Sequence, residues 1–304
     1  MNVVLANDTR GSVRGEHWGS WRTTTNLENL LVGAGFQVTD RLRLGELQSA
    51  EEIWARIERV GMLVINGEGS VHSRTRTAVS LLDAMRAARE RRIPVWIVNH
   101  ACWNCDDLVR QYDYADFIAV RDVASRGYLA QHGVHAQLAA DCSFLSPPAQ
   151  ARRKNRLLVC SGLRPPDEAT ISQWASELRC AEKVLCNDFY PRFAASGAVK
   201  SESADECFRL FATAVFVLSS SYHGCIFAAI HGVPFLPVRV PGQPPKTMTF
   251  AVEAMQRHAT GICFEGPPYV RANYAAIQRT IAARVKALRR RAKFNLPAVP
   301  CIAA

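Results

Sequence analysis

The stretch from residue 215 to 246 constrains the fold more than any other. Val215, Phe216, Val217 and Leu218 form a short apolar run of the buried-strand type. Ser219-Ser220-Ser221-Tyr222-His223-Gly224 follows, and then an apolar segment over 225–230 with the character of a helix. His231-Gly232 stops that helix, and 233–238 has the pattern of the next short strand. The order strand, turn, helix, strand belongs to an open α/β sheet, in which ligands bind where the carboxyl end of a strand meets the amino end of a helix. Such a helix end presents free backbone N–H groups and a partial positive charge, so the serines and His223 stand where an anionic group would be received.

The same alternation runs through the whole chain. Apolar strands are expected at 2–6, 62–65, 93–98 and 117–120, and helical spacing of apolar residues marks 27–34 and 77–91. A segment rich in proline and basic residues, 147–155, then separates a second series: a strand at 156–160, a helix at 171–180, a strand at 183–186 and a helix at 204–213. Two such halves predict an α/β protein of two doubly wound, Rossmann-like domains facing a cleft, similar to the GT-B glycosyltransferases. The expected bounds are 1–148 and 156–270. A basic amphipathic helix follows over 273–294, with Ile277, Ile281, Val285 and Leu288 on one stripe.

Strand ends in the first half supply further candidates. The strand at 62–65 runs into Asn66-Gly67-Glu68-Gly69, where two glycines flank a carboxylate that can act as acid, base or hydroxyl acceptor. His72, Arg74 and Arg76 follow, able to serve an anionic substrate or to face water, and His100 ends the strand at 93–98. The strand at 117–120 delivers Arg121, which can meet a ligand anion or an internal carboxylate, and Asp122, whose place suits a helix cap shared with Ser125.

Composition excludes several classes. With 48% hydrophobic and 21% charged residues the chain is of ordinary globular type, and no apolar run has the length of a membrane span. The amino terminus lacks the basic start of a signal peptide, so a cytoplasmic location is expected. The net charge is +10, and six of the 37 basic residues are lysine, which leaves 31 arginines. Outside the last helix these charges are dispersed and not interleaved with aromatics, against a nucleic-acid partner. Ten cysteines at irregular spacing do not form a secreted disulfide framework, and Cys102-x-x-Cys105 lacks a second pair at zinc spacing.

Ser-Ser-Ser-Tyr-His-Gly-Cys-Ile-Phe-Ala-Ala-Ile-His-Gly-Val-Pro, residues 219–234, resembles the signature of the polysaccharide pyruvyl transferase family: Ser-x-Arg-x-His-Gly, an apolar helix, then Gly-x-Pro. One position departs, since Ser221 stands where the family has arginine. Arg121-Asp122-x-x-Ser125, then Gly133-Val134, then Asp141-x-x-Phe144 are similar to the end of the family's amino-terminal half. The loop from Glu16 to Trp21 resembles its first glycine loop.

The resemblance implies a transferase that moves a pyruvyl group from phosphoenolpyruvate to two sugar hydroxyls of a cell-surface or capsular polysaccharide or its precursor, with no cofactor or metal. It implies His223 and Glu68 as catalytic groups. Donor contacts fall to Arg121, Ser219, Ser220, Ser221, Gly224, Arg239 and Lys246, and contacts to the saccharide acceptor to His72 and His100. The loss of the arginine at Ser221 keeps open a GT-B glycosyltransferase using a nucleotide sugar, ahead of a binding protein with a dead site. The basic face of the last helix is expected to look toward water or toward an anionic membrane surface at the inner face.

Overall fold

The computed structural model describes residues 1–10, 17–43, 50–58, 60–161, 168–187, 199 and 201–238. Arg239, Lys246, the expected elements at 249–257 and 261–264, and the amphipathic helix over 273–294 lie outside the described residues. Two compact units emerge among the described residues: one takes Met1–Thr9 and Thr24–Cys142, the other Arg10–Thr23 and the described chain from Ser143 to Val238.

The first unit is built on a parallel sheet of six strands: β1 (Asn2–Asp8), β2 (Gln37–Arg43), β3 (Met62–His72), β4 (Val95–Trp103), β5 (Phe117–Val120) and β6 (Gln137–Leu138), in the order β2-β1-β3-β4-β5-β6. The apolar runs read from the sequence are its central strands, where every residue of β5 and nearly all of β4 is buried. Continuous burial follows from a parallel sheet covered on both faces. One face carries a core of Val4, Leu63, Ile65, Val95, Ile97 and Val120 against α3 (Arg76–Glu90). The edge strand β2 and helix α2 (Ala50–Ile57) were not marked by the apolar pattern. In β2 only Leu42 is fully buried, and Asp40, Arg41 and Arg43 interrupt the hydrophobic signal. At β5's end Asp122 caps α4 (Val123–Gln131), accepting a 2.6 Å hydrogen bond from the Ser125 amide.

The second unit has a four-stranded parallel sheet of β7 (Arg156–Ser161), β8 (Glu182–Asn187), β9 (Phe216–Ser219) and β10 (Phe235–Pro237), in the order β10-β9-β7-β8. Its strands alternate between two cores. Leu158, Cys160 and Val217 face α6 (Ala204–Ala212) and α7 (Tyr222–Ile230), while Leu157, Val159, Phe216 and Leu218 face α5 (Glu168–Glu177).

The first helix, α1 (Trp18–Gly33), begins earlier than its leucine spacing indicates. The expected glycine loop over 16–21 is therefore helix from Trp18 onward. Its start groups with the second unit because Trp18 packs into the core of α6 and α7, Arg22 pairs with Asp205, and the Arg22 guanidinium lies 3.9 Å over the Phe208 ring. No helix among the described residues is long and apolar enough to cross a membrane.

Candidate active site

In the second unit, β9 stops at Ser219 and α7 starts at Tyr222, three residues before the expected helix start. The cause is Ser221, whose hydroxyl caps α7 by accepting from the Gly224 amide at 3.3 Å. Ser219 closes the turn from both sides. Its hydroxyl donates to the Ser221 carbonyl at 2.9 Å and accepts from the Ser221 amide at 3.1 Å. The Ser220 amide donates to the Cys160 carbonyl at 3.0 Å, which ties the turn to the end of β7. Gly224 is dictated by packing, because a Cβ there would lie 2.3 Å from Ser219 Oγ and 2.8 Å from Cys160 Sγ. The three serines and Gly224, expected as donor contacts, thus first hold the strand and helix at close range.

His223 emerges from that turn, 4% exposed. Its Nε2 lies 3.2 Å from Thr23 Oγ1, which in turn lies 2.6 Å from Ser143 Oγ. The His17 ring meets it edge to face, with centroids 5.3 Å apart. His17 begins α1, where its Nδ1 accepts from the Ser20 amide at 2.9 Å. That bond leaves the proton of a neutral His17 on Nε2. Thr23 and Ser143 were not singled out by spacing, since Thr23 lies 200 residues from His223 in sequence; His17 and Gly19 lay in the loop that resembles the family's first glycine loop, where nothing tied them to His223.

The first unit gathers a different set around the carboxyl end of β1 and the middle of β3 and β4. Asn7, Thr9, Thr24, Asn66, Glu68 and Asn99 are all buried. Glu68 Oε1 accepts from Thr9 Oγ1 at 2.8 Å and from Asn66 Nδ2 at 3.0 Å. Asn99 Nδ2 donates to Asn66 Oδ1 at 3.0 Å, and Asn7 Nδ2 to the Asn66 carbonyl at 2.6 Å. Asn7, Glu68 and Asn99 have φ of 61°, 39° and 53°. Asparagine tolerates this left-handed backbone; glutamate does so at a cost the surrounding bonds must offset.

The remaining candidates take distinct places. Arg121 is buried against Asp141, Nη1 to Oδ2 at 2.7 Å, so of its two open readings the structure displays the internal carboxylate. His100, expected at an acceptor surface, is fully buried instead. Its Nε2 lies 2.6 Å from Tyr112 OH, and Gly67 passes over its ring so closely that a Cβ would sit 2.5 Å from Nδ1. Burial, with the Arg121 charge second, lowers the His100 pKa to about 3 and keeps it neutral. His72 stacks on Trp103 at 4.4 Å and is partly exposed. Cys102 and Cys105 are buried in the core of the first unit. Among the described residues no cluster of three or more His, Cys, Asp or Glu has the arrangement of a metal site.

A profile of the polysaccharide pyruvyl transferase family matches residues 50–241, which span Glu68, Arg121 and the serine–histidine turn. The chain belongs to the polysaccharide pyruvyl transferase family. It is thus a member of a transferase family, and the Ser219–Gly224 turn with its Ser221 substitution lies inside the matched region. No curated protein matches the chain.

Among solved structures, the chain is similar to the UDP-GlcNAc 2-epimerase from Neisseria meningitidis bound to UDP-GlcNAc, with TM-score 0.54, 11% identity and 93% and 100% of the two chains covered. It is similar also to a structure from Listeria monocytogenes assigned to the same UDP-N-acetylglucosamine 2-epimerase class, with TM-score 0.53, 12% identity and 99% of each chain covered. The enzyme of that name from Rickettsia bellii gives TM-score 0.52, 12% identity and 95% coverage of each chain. At this identity the likeness establishes the fold, a GT-B-type pair of parallel α/β units.

Proposed function

We propose that this family member transfers a pyruvyl group from phosphoenolpyruvate to two hydroxyls of a saccharide, of the kind found in cell-surface polysaccharide or its precursor, forming a cyclic ketal and releasing phosphate. The reading is carried by His223, a histidine at a capped strand-to-helix turn inside the region that the family profile matches. Protonation of the enol methylene leaves an electrophilic carbon, one hydroxyl adds to it, phosphate departs, and the second hydroxyl closes the ring. His223 is assigned the proton at the methylene and Glu68 the proton of the attacking hydroxyl.

The donor carries a carboxylate and a phosphate. The amino end of α7 offers N–H groups to one of them, and the cations assigned to the rest are Arg239 and Lys246, with Arg121 if Asp141 shares it. Ser219, Ser220, Ser221 and Gly224 set the backbone that faces the donor. His72 is assigned to the acceptor side, with His100 supporting it from beneath Gly67.

A second reading has one observation in its favour. Ser221 replaces the family arginine and works as a helix cap, so this turn offers a carboxylate no guanidinium fork. A nucleotide-sugar donor requires no such fork, and the Neisseria fold neighbour was solved with UDP-GlcNAc bound. Thermal stabilisation by phosphoenolpyruvate and by a panel of nucleotide sugars separates the two. The pyruvyl reading expects stabilisation by phosphoenolpyruvate, ketal formation with release of phosphate, and a loss of about 10²-fold or more in turnover for His223→Ala with the fold retained. No binding of phosphoenolpyruvate at millimolar concentration, with binding of a nucleotide sugar, would replace it by the glycosyltransferase reading.

A further inference from the structure

His223 is held by Thr23 and Ser143, which the motifs of the chain do not name, and by the helix start that carries His17 and Gly19. Thr23 Oγ1 stands between His223 Nε2, at 3.2 Å, and Ser143 Oγ, at 2.6 Å, and all three side chains are buried. The helix carrying Thr23 passes directly over the ring. A Cβ built on Gly19 would lie 2.3 Å from His223 Cγ and 2.5 Å from its Cβ and Nδ1, so every other residue type would push the ring away. The start of this helix is fixed in turn by the imidazole of His17, through its bond to the Ser20 amide.

We propose that Thr23, backed by Ser143, is a positioning residue that anchors the His223 ring by its Nε2 edge in both protonation states, and that glycine at position 19 is required for the ring to occupy this place. The inference rests on the reading of His223 as the proton donor of the reaction.

The choice of a hydroxyl pair has a chemical reason. A hydroxyl both donates and accepts, whereas a carboxylate partner would favour the imidazolium alone and an aliphatic one would leave a buried ring nitrogen unpaired. With Nε2 unprotonated, Thr23 donates to it and accepts from Ser143. With Nε2 protonated, the ring donates to Thr23, whose own proton turns to Ser143. The hydroxyl pair follows either form of Nε2 without gaining or losing a proton; the proton exchanged with the reactants is the one on Nδ1, so the imidazole changes charge while Nε2–H stays on Thr23. A group that gives a proton to the methylene and regains one from the second, ring-closing hydroxyl needs this property.

The test uses the full-length protein labelled with ¹⁵N-histidine, with the His223 ring signals identified by their absence in His223→Ala. In Thr23→Val these signals should move and their titration midpoint fall by about half a pH unit or more, because both protonation states lose the hydrogen bond and the charged one loses the stronger of the two. Thr23→Ser should restore both, and Ser143→Ala should give a smaller shift. In turnover, Thr23→Val should lower kcat about tenfold with little change in KM, the pattern of a misplaced reacting group.

Should Gly19→Ala fail to fold, Thr23→Val and Thr23→Ser decide alone. Unchanged His223 signals and midpoint in Thr23→Val would overturn the proposal, as would normal kcat in that variant of an enzyme active on phosphoenolpyruvate. If the wild type proves inactive on phosphoenolpyruvate while the ring signals still respond to Thr23, the proposed reaction fails and the anchoring of His223 stands.

Discussion

Both units wind their sheets in the same sense, with the second, first, third and fourth strands side by side as β2-β1-β3-β4 and β8-β7-β9-β10. In each, the winding reverses between the first and third strands, the place where open α/β sheets receive ligands. The two places are finished differently. In the second unit, β9 ends after four residues and a capped helix begins almost at once, putting backbone N–H groups and His223 beside the end of β7. In the first, β3 continues for eleven residues through a bulge, and the position next to β1 is filled by asparagine amides, threonine hydroxyls and the Glu68 carboxylate. A helix end suits an anion, while a mixed set of amide, hydroxyl and carboxylate groups suits hydroxyl chemistry. One topology thus yields two chemistries through the length of its third strand.

The same contrast extends to what holds each place together, and the largest predicted effect separates them. The ends of β4 and β5 rest on a buried ion pair, with the side chains of Arg121 and Asp141 2% and 0% exposed. Asp141→Ala removes the carboxylate paired with Arg121 and should cost about 3–5 kcal/mol, because a buried guanidinium loses this charge partner. Hydrogen exchange followed by mass spectrometry should show β4 and β5 losing protection while β7 and β9 keep theirs. Equal loss in both units would break the distinction drawn between them.

A smaller effect is expected in the second unit, which relies on close packing in place of charge. The Cβ of Gly224→Ala would meet Ser219 Oγ at 2.3 Å and Cys160 Sγ at 2.8 Å. Relief requires α7 to shift off the sheet, at about 1–3 kcal/mol. Because His223 is the preceding residue, turnover should fall further than stability does. Denaturant melts beside turnover assays check this, and a Gly224→Ala protein with normal activity would show that the turn tolerates displacement.

The sequence made the frame of both places readable and left their contents hidden, for physical reasons. Buried parallel strands such as β4 and β5 are continuous apolar runs, so they stand out in any window. Asp122 declared itself as a cap by residue type and position, and the structure has it capping α4. The start of α1 did not, because histidine is an uncommon cap and Trp18-Gly19-Ser20 lacks a helical pattern. Gly67 was visible as a glycine beside Glu68, but the room its missing side chain makes for the ring of His100 was not. Glu68 was visible as a carboxylate between glycines, but its bond to Thr9 follows from the pairing of β1 with β3, which one sequence does not display. Ser221 read as a missing arginine, and the geometry adds what the serine does in its place.

The smallest effect concerns pH and sharpens the comparison, because each unit contains a histidine held neutral. In the first, burial and then the Arg121 charge bring His100 to about 3. In the second, burial brings His231 to about 4, the Phe208 carbonyl opposing the shift while Arg22 and Arg153 add to it. His231 Nδ1 accepts from the Ala149 amide at 3.3 Å, which leaves Nε2–H to donate to the Phe208 carbonyl at 3.0 Å. Both folded-state values lie below the unfolded value of about 6.5, so unfolding takes up protons as the pH falls under that point. The stability these groups contribute is complete above about pH 6.5 and is lost toward acid, at no more than about 1.4 kcal/mol per pH unit for each. The loss is smaller for His231, which keeps some contact with water. The share of His231 stops growing near its folded pKa of about 4, whereas that of His100 continues toward about 3. His231→Gln preserves a donor and an acceptor without a titratable ring, so it should lose less stability than the wild type between pH 6.5 and 4. Below pH 4 the two proteins should fall in parallel as His100 alone continues to titrate. Denaturant melts across this range check the prediction, and identical pH dependence of the two proteins would show that His231 carries no share of the acid sensitivity.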